Sequence, residues 1–281
     1  MPDLFSELNA NGYNPFSMPD RDFVPLAVLR QNKQKKFERV GMLPKFVAFP
    51  KDTERPADPA PLDPEKKAEF SSVFTKQIDA SIGAGILRNI FSAMDMTDIS
   101  TKINFNKVNK VELAYNNVVS DTVDPVEIAA FLEEGQPVKA GLVADLLEPN
   151  RTFVAFDTLR SDAFTVRCHA AEKADAVTEV NVLRNVIKTD STIKITEETD
   201  TSLTFKGPGF QTFATRVYAF WIVTKAGKRS FLFQKDPPSW FDSVGLSLGA
   251  SRGMGDGKEH KPEGRMMKDS YVLPEGAFFR F

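Results

Sequence analysis

Residues 76–95 read KQIDASIGAGILRNIFSAMD, and two periodicities run through them. Ile78, Ile82, Ile86 and Ile90 recur at i, i+4, with Leu87 and Phe91 beside them, which is the apolar stripe of a helix. Ile78, Ala80, Ile82, Ala84 and Ile86 also alternate with Gln77, Asp79, Ser81, Gly83 and Gly85, which is a strand with one apolar face. Gly83 and Gly85 each weaken a helix by roughly 1 kcal/mol relative to alanine. The stretch supports a glycine-containing core helix and a one-faced strand, and periodicity alone does not choose between them.

On both sides of it the pattern is mostly β. Upstream, FVPLAVL at 23–29 predicts a short strand, paired with 37–47 across the basic turn RQNKQKKFER at 30–39. Residues 50–67 interleave five prolines with charges and predict a surface loop. Downstream, Ile103 and Phe105 alternate, followed by Val111, Leu113 and Tyr115. VEIAAFL at 126–132 predicts a short amphipathic helix capped by Asp124, with Pro125 at its start. Residues 153–159 and 164–170 predict two strands around Arg160-Ser161-Asp162. Ile193 and Ile195, then Leu203 and Phe205, flank the polar TEETDTS and predict a hairpin. Residues 213–223 predict a strand buried on both faces, turned by 225–228 into 230–233.

Beyond Trp240 the composition changes. Residues 245–264 hold six of the 16 glycines and read as a flexible linker, after which Tyr271, Val272, Leu273, Phe278, Phe279 and Phe281 are apolar again. We expect an adhesive segment on a tether.

The whole chain bounds the function. Its 281 residues are 42% hydrophobic and 26% charged, which excludes wholesale disorder. A net charge of -2 gives no global pull towards nucleic acid. Cys168 is the one cysteine, so an intrachain disulfide scaffold is excluded. No run of about 20 apolar residues is present for a spanning helix. The acidic start is not a secretory signal, and Pro2 stands where myristoylation needs glycine.

Catalytic, cofactor and metal motifs are not found. Cys168 and His169 are neighbours, so on a strand they point to opposite faces and form no dyad. His260 has no second ligand nearby for zinc. Residues 253–258, GMGDGK, fail as a phosphate loop, with Arg252 where the first glycine belongs and Glu259 in place of Ser/Thr. Glu133-Glu134 and Glu197-Glu198 read as solvated turns. We expect no enzyme, no cofactor and no metal site.

Four stretches together resemble the gasdermins, especially the short bacterial and fungal members. They are FVPLAVL with its basic turn, ASIGAGILRNIFSAM, KVELAYNNVVSDTVDPVEIAAFL, and the long run from TEVNVLRNVIK to RVYAF. The resemblance covers about residues 23–234 by element order. It implies an α+β fold, a twisted mostly antiparallel sheet with peripheral helices. It implies a pore-forming domain at 1–244, a glycine-rich linker at 245–265 and an apolar inhibitory segment at 266–281. The function implied is a soluble, inhibited monomer that, when released, assembles as a ring on a membrane and inserts β-hairpins, causing cell death in anti-phage or immune defence. A spanning strand gives a far weaker signal than a helix, so no hydropathy peak is expected.

For the inserting hairpins the resemblance and the alternation suggest residues 76–95 with 101–115, and 153–170 with 177–205. The membrane-inserting candidates are Ile78, Ile82, Ile86, Ile90, Phe164, Val166, Ile193 and Ile195. Arg30, Lys33, Lys35, Lys36 and Arg39 are candidates for lipid headgroups. Leu248, Arg252 and Asp256 are candidate cleavage positions. Tyr271, Leu273, Phe278, Phe279 and Phe281 are candidate inhibitory contacts. The partners implied are an activating protease, membrane lipids and further copies of the chain, with no nucleic acid. The inactive form is expected in the cytoplasm and the active form at the inner membrane. The lipidated N-terminal cysteine of many bacterial members is not found. The alternative readings are a β-rich intracellular lipid- or protein-binding module, and an enzyme without a recognised motif.

Overall fold

The computed structural model describes residues 3–31, 37–52, 54–138, 152–170, 172–190, 192–225, 228–233, 265–266 and 271–272. First come α1 (Leu4–Ala10), β1 (Asn14–Asp20), β2 (Ala27–Gln31), β3 (Phe37–Met42), β4 (Val47–Ala48), β5 (Glu65–Lys66) and β6 (Ile78–Asp79). Then follow α2 (Ala80–Ala93), α3 (Thr97–Ser100), β7 (Lys110–Asn116), β8 (Val119–Thr122), α4 (Pro125–Glu134) and β9 (Gln136–Pro137). Last are β10 (Thr152–His169), α5 (Lys173–Ile187), β11 (Lys194–Glu198), β12 (Ser202–Lys225), β13 (Lys228–Phe233), β14 (Arg265–Met266) and β15 (Tyr271–Val272). Every pairing with a defined register is antiparallel, and the fold is α+β as the sequence leads one to expect.

The chain divides into two compact units, each drawn from three stretches. The first takes Met1–Phe23, Asp63–Asp121 and Thr158–Thr215. Its α1 starts where Asp3 caps it: the carboxylate accepts from the Phe5 amide at 3.1 Å and the Ser6 hydroxyl at 2.7 Å. Leu4 and Leu8, one turn apart, are fully buried. β7 pairs with β10 from Asn116↔Ala163 to Lys110↔His169. The period of two sends Val111, Leu113 and Tyr115 to the core together with Phe164, Val166 and Cys168. There Tyr115 stacks on Phe213 at 3.9 Å, and Phe91 and Phe164 both stack on Phe205. β11 pairs with β12 through Ile195↔Phe205, the hairpin expected around TEETDTS. β1 also pairs with β12, through Asn14↔Thr215.

The second unit takes Val24–Leu62, Thr122–Asp157 and Arg216–Phe281. β2 lies between β3 and the start of β10, with Leu29 opposite both Arg39 and Phe153. α4 begins as expected. The Asp124 carboxylate accepts from the Val126 amide at 2.8 Å, Pro125 opens the helix, and Ile128, Phe131 and Leu132 are buried. Phe156 stacks on Tyr218 at 4.4 Å beside them. β13 pairs with the end of β12 from Phe220↔Phe233 to Lys225↔Lys228, and β15 pairs with β12 at Val217↔Tyr271.

Four expectations fail for physical reasons. β10 is one continuous strand through Arg160-Ser161-Asp162 rather than two. Each polar side chain of that triplet finds a partner: Arg160 on Asp121 at 2.6 Å, Ser161 on the Asn116 carbonyl at 2.5 Å, and Asp162 on Asn117 at 2.8 Å. The run from Thr178 that the resemblance reads as part of the late hairpin is helical as far as Ile187, and the hairpin begins only at β11. Ile103 and Phe105 lie in a loop, their apolar side chains drawn to the core without a strand. Glu197 and Glu198 sit exposed on β11, not in a turn.

Candidate membrane-active segments

The ambiguous stretch is α2, a helix over Ala80–Ala93. Ala80, Gly83, Ala84, Leu87, Ile90 and Phe91 form its buried stripe. The helix wins because this stripe fits against β7. A β-carbon on Gly83 would collide with Cγ2 of Val111, whereas one on Gly85 would meet nothing within 4 Å. Gly83 therefore sets the close approach of helix and strand, and Gly85 has no packing role. The four candidate isoleucines separate on this helix and its lead-in. Ile90 is buried, Ile78 and Ile86 are half-buried, and Ile82 is 55% exposed. Ahead of α2, Lys76 pairs with Asp3 at 3.3 Å, and Leu4 donates its amide to the Phe74 carbonyl. Burial works against the Asp3 charge, but bonds from Ser6 and Lys76 outweigh it and hold its carboxyl below the usual value.

The second candidate segment, 153–170 with 177–205, takes in β10 from Phe153, α5 from Val177, β11 and the first residues of β12. Phe164 and Val166 are buried on the core face, Ile193 is buried, and Ile195 is half-buried on an otherwise exposed edge strand. α5 buries Ala176, Glu179, Val180, Leu183 and Ile187. Sequence reading names none of that set, the buried carboxylate of Glu179 included. A signal existed: it falls on the stripe three residues after Ala176 and four before Leu183. Its carboxylate accepts from the amides of Asn106 and Lys107. Cys168, also on the core face, has its thiol pushed up to about 12 by burial first and by the Glu179 charge second. His169 takes the opposite face, its Nε2 3.1 Å from Glu112. Glu112 also pairs with Arg167 at 3.0 Å.

The first candidate segment falls in the first unit, and so does the second from Thr158 onward; residues 153–157 fall in the second unit, as do the described ends of the basic turn and the C-terminal strands. At the ends of the basic turn, Arg30 pairs across the strands with Glu38 at 3.1 Å, and Arg39 is exposed. Lys33, Lys35 and Lys36 lie outside the described residues, as do Leu248, Arg252, Asp256, Leu273, Phe278, Phe279 and Phe281. Tyr271 is described through its backbone, paired with Val217. Among the described residues no helix is long and apolar enough to cross a membrane, and no group of three or more His, Cys, Asp or Glu could hold a metal ion.

Comparison with known proteins places this arrangement. The model of the Bacterial Gasdermin Family matches residues 16–230. Gasdermin bGSDM of Vitiosangium sp. is 24% identical over 271 residues, 94% of this chain and 91% of that relative. Gasdermin bGSDM of Lysobacter enzymogenes is 22% identical over 203 residues, 72% of this chain and 74% of that relative. The solved structure of a bacterial gasdermin from Bradyrhizobium tropiciagri superposes with a TM-score of 0.56 over 82% of this chain and 91% of that chain, at 12% identity, a likeness of fold. The match runs from within β1 to the middle of β13, across both candidate segments and the basic turn, and the chain belongs to the bacterial gasdermin family.

Proposed function

We propose that the chain is a membrane-pore former, kept inactive by its C-terminal segment and released when that segment is removed. The observation that carries the reading is the double periodicity of α2. Ile78 to Ile86 is nine residues of strict alternation, close to the roughly 9–11 that a spanning strand needs. In the helix the stretch buries one apolar set against Val111. As a strand it would bring the exposed Ile82 onto one face with Ile78 and Ile86. In lipid a hairpin of that kind is satisfied only within a closed barrel, so the reading requires several copies in a ring.

The C-terminal segment supplies a means of restraint. β15 adds a strand to β12 at Val217, a buried position. Leu273, Phe278, Phe279 and Phe281 follow it, and full burial of each such side chain contributes roughly 1.5–3 kcal/mol. A tether raises the effective concentration of these anchors, and cutting within 245–265 removes that advantage. A protease and membrane lipids are then the partners, and defensive cell death is the outcome we assign to an open pore.

Dye release from anionic liposomes tests the reading. The full-length protein should leave the vesicles intact, and the chain ending at Gly245 should empty them. Phe278→Asp with Phe279→Asp should make the uncut protein leak. A shortened chain that stays monomeric beside vesicles and releases no dye rejects the proposal in favour of a β-rich binding module.

A further inference from the structure

Glu179 occupies a position on the α5 stripe where an apolar residue would pack, and it is 4% exposed. Both of its hydrogen bonds converge on one oxygen: Oε1 accepts from the Lys107 amide at 2.7 Å and the Asn106 amide at 3.0 Å. Those amides lie in the loop between α3 and β7, inside the 101–115 arm of the first candidate hairpin, while Glu179 lies inside the second. The β7–β10 ladder also joins the two, but a ladder is strand pairing that a barrel retains. The Glu179 bonds reach the loop from a helix and end when that helix does. The other charged contacts of α5 stay local, Arg184 with Glu198 at 2.6 Å and Lys173 with Asp200 at 2.7 Å. They tie the helix to the β11–β12 hairpin.

We infer that Glu179 couples the two segments, so that neither the 76–115 stretch nor α5 leaves its resting conformation before the other. The inference rests on the pore-forming reading. Opening one segment alone strands a buried carboxylate from two backbone donors, and a buried charge-assisted bond without its partner is among the more costly losses in a protein interior. Opening both at once exposes all three groups to water together.

Hydrogen exchange read by mass spectrometry tests the coupling, on the full-length chain cleaved within 245–265 beside anionic vesicles. In the unsubstituted chain, peptides from 80–109 and from 173–198 should lose protection with one rate constant. In Glu179→Leu the α5 peptides should open first, about tenfold or more faster, and the lag before dye release should shorten. Glu179→Gln keeps a carbonyl oxygen for both amides and should stay within about threefold of the parent. Arg184→Gln, which removes a contact that does not reach the loop, should leave the segments synchronous. A folded Glu179→Leu protein whose segments still open together at the parent rate overturns the coupling. So does an Arg184→Gln protein that separates them as fully as Glu179→Leu. If Glu179→Leu does not fold, Glu179→Asp, which keeps the charge but shortens the reach by one methylene, takes its place with the same outcomes. A parent chain that never leaks sinks the pore reading instead, and exchange without vesicles then decides the coupling alone.

Discussion

Gly83 and Gly85 are two positions apart on α2 and should respond oppositely to the same methyl group. At Gly83 the methyl meets Val111, a fully buried β-branched side chain that is stiff about χ1. Overpacking of this kind typically costs 1–3 kcal/mol, against a helix-propensity gain of roughly 1 kcal/mol. Gly83→Ala should lower the urea midpoint and Gly83→Ala with Val111→Ala should recover part of it, while Gly85→Ala should raise it. A second pair of residues governs alkaline behaviour. Burial, then the Glu179 charge, pushes the Cys168 thiol from 9.0 up to about 12. Burial also raises the Tyr115 phenol above its usual 10.0. Folded, both keep protons that the unfolded chain releases, so stability is full below about pH 9 and falls as pH rises from there. The urea midpoint should drop between about pH 9 and pH 10.5, with a shallower slope in Cys168→Ala. A midpoint flat across that range contradicts the burial of these groups.

Helix α2 offers a substitution that separates resting stability from insertion. Ile82 is exposed in the resting helix, so Ile82→Lys should change stability by no more than about 0.5 kcal/mol. On a lipid-facing strand at mid-depth the same lysine costs roughly 2–4 kcal/mol. A well-folded Ile82→Lys chain ending at Gly245 should therefore bind vesicles and fail to empty them; full leakage removes Ile82 from the inserting face. Ile90 cannot serve, because its burial would confuse insertion with unfolding. The exposure of Ile82 is visible only in three dimensions, and so is the preference of α2 for helix, which Val111 decides from 28 residues away. Elements with local causes were legible: α4 from Asp124-Pro125, and β11 with β12 from alternation around a polar turn. α5 was not, since a glutamate on its stripe and a run of valines hide the period. Nor was the continuity of β10, because the partners of its polar triplet lie some 40 residues back. Of the candidate inserting isoleucines, the resting fold buries Ile90 and exposes Ile82, a separation that spacing does not show, and the Glu179 link depends on backbone donors that no side-chain pattern reveals.

Across the molecule, the eight candidate inserting side chains belong to the first compact unit, while Arg30 and Arg39, at the ends of the basic turn, belong to the second. That division lets attraction be altered without touching insertion. Replacing Lys33, Lys35 and Lys36 by Glu should weaken binding to anionic vesicles by about 100-fold or more at low salt, at about 1 kcal/mol per charge near the surface. The difference should shrink as salt shortens the screening length. Once bound at high protein concentration, the variant should still form leaks in the shortened chain. Binding that is unchanged at low salt assigns the turn no role in encounter.

The pairing of β1 with β12 has a bearing on synthesis. Asn14 donates to the Thr215 carbonyl across 201 positions, and Thr212 donates to the Phe23 carbonyl across 189. A ribosome must therefore translate through Thr215 before the first unit can close its sheet. At about 5–20 residues per second, residues 216–281 follow within roughly 3–13 s. The nascent body would thus become complete only moments before its own C-terminal strands emerge. On the pore-forming reading, a message truncated in that interval would yield the body without the segment proposed to restrain it.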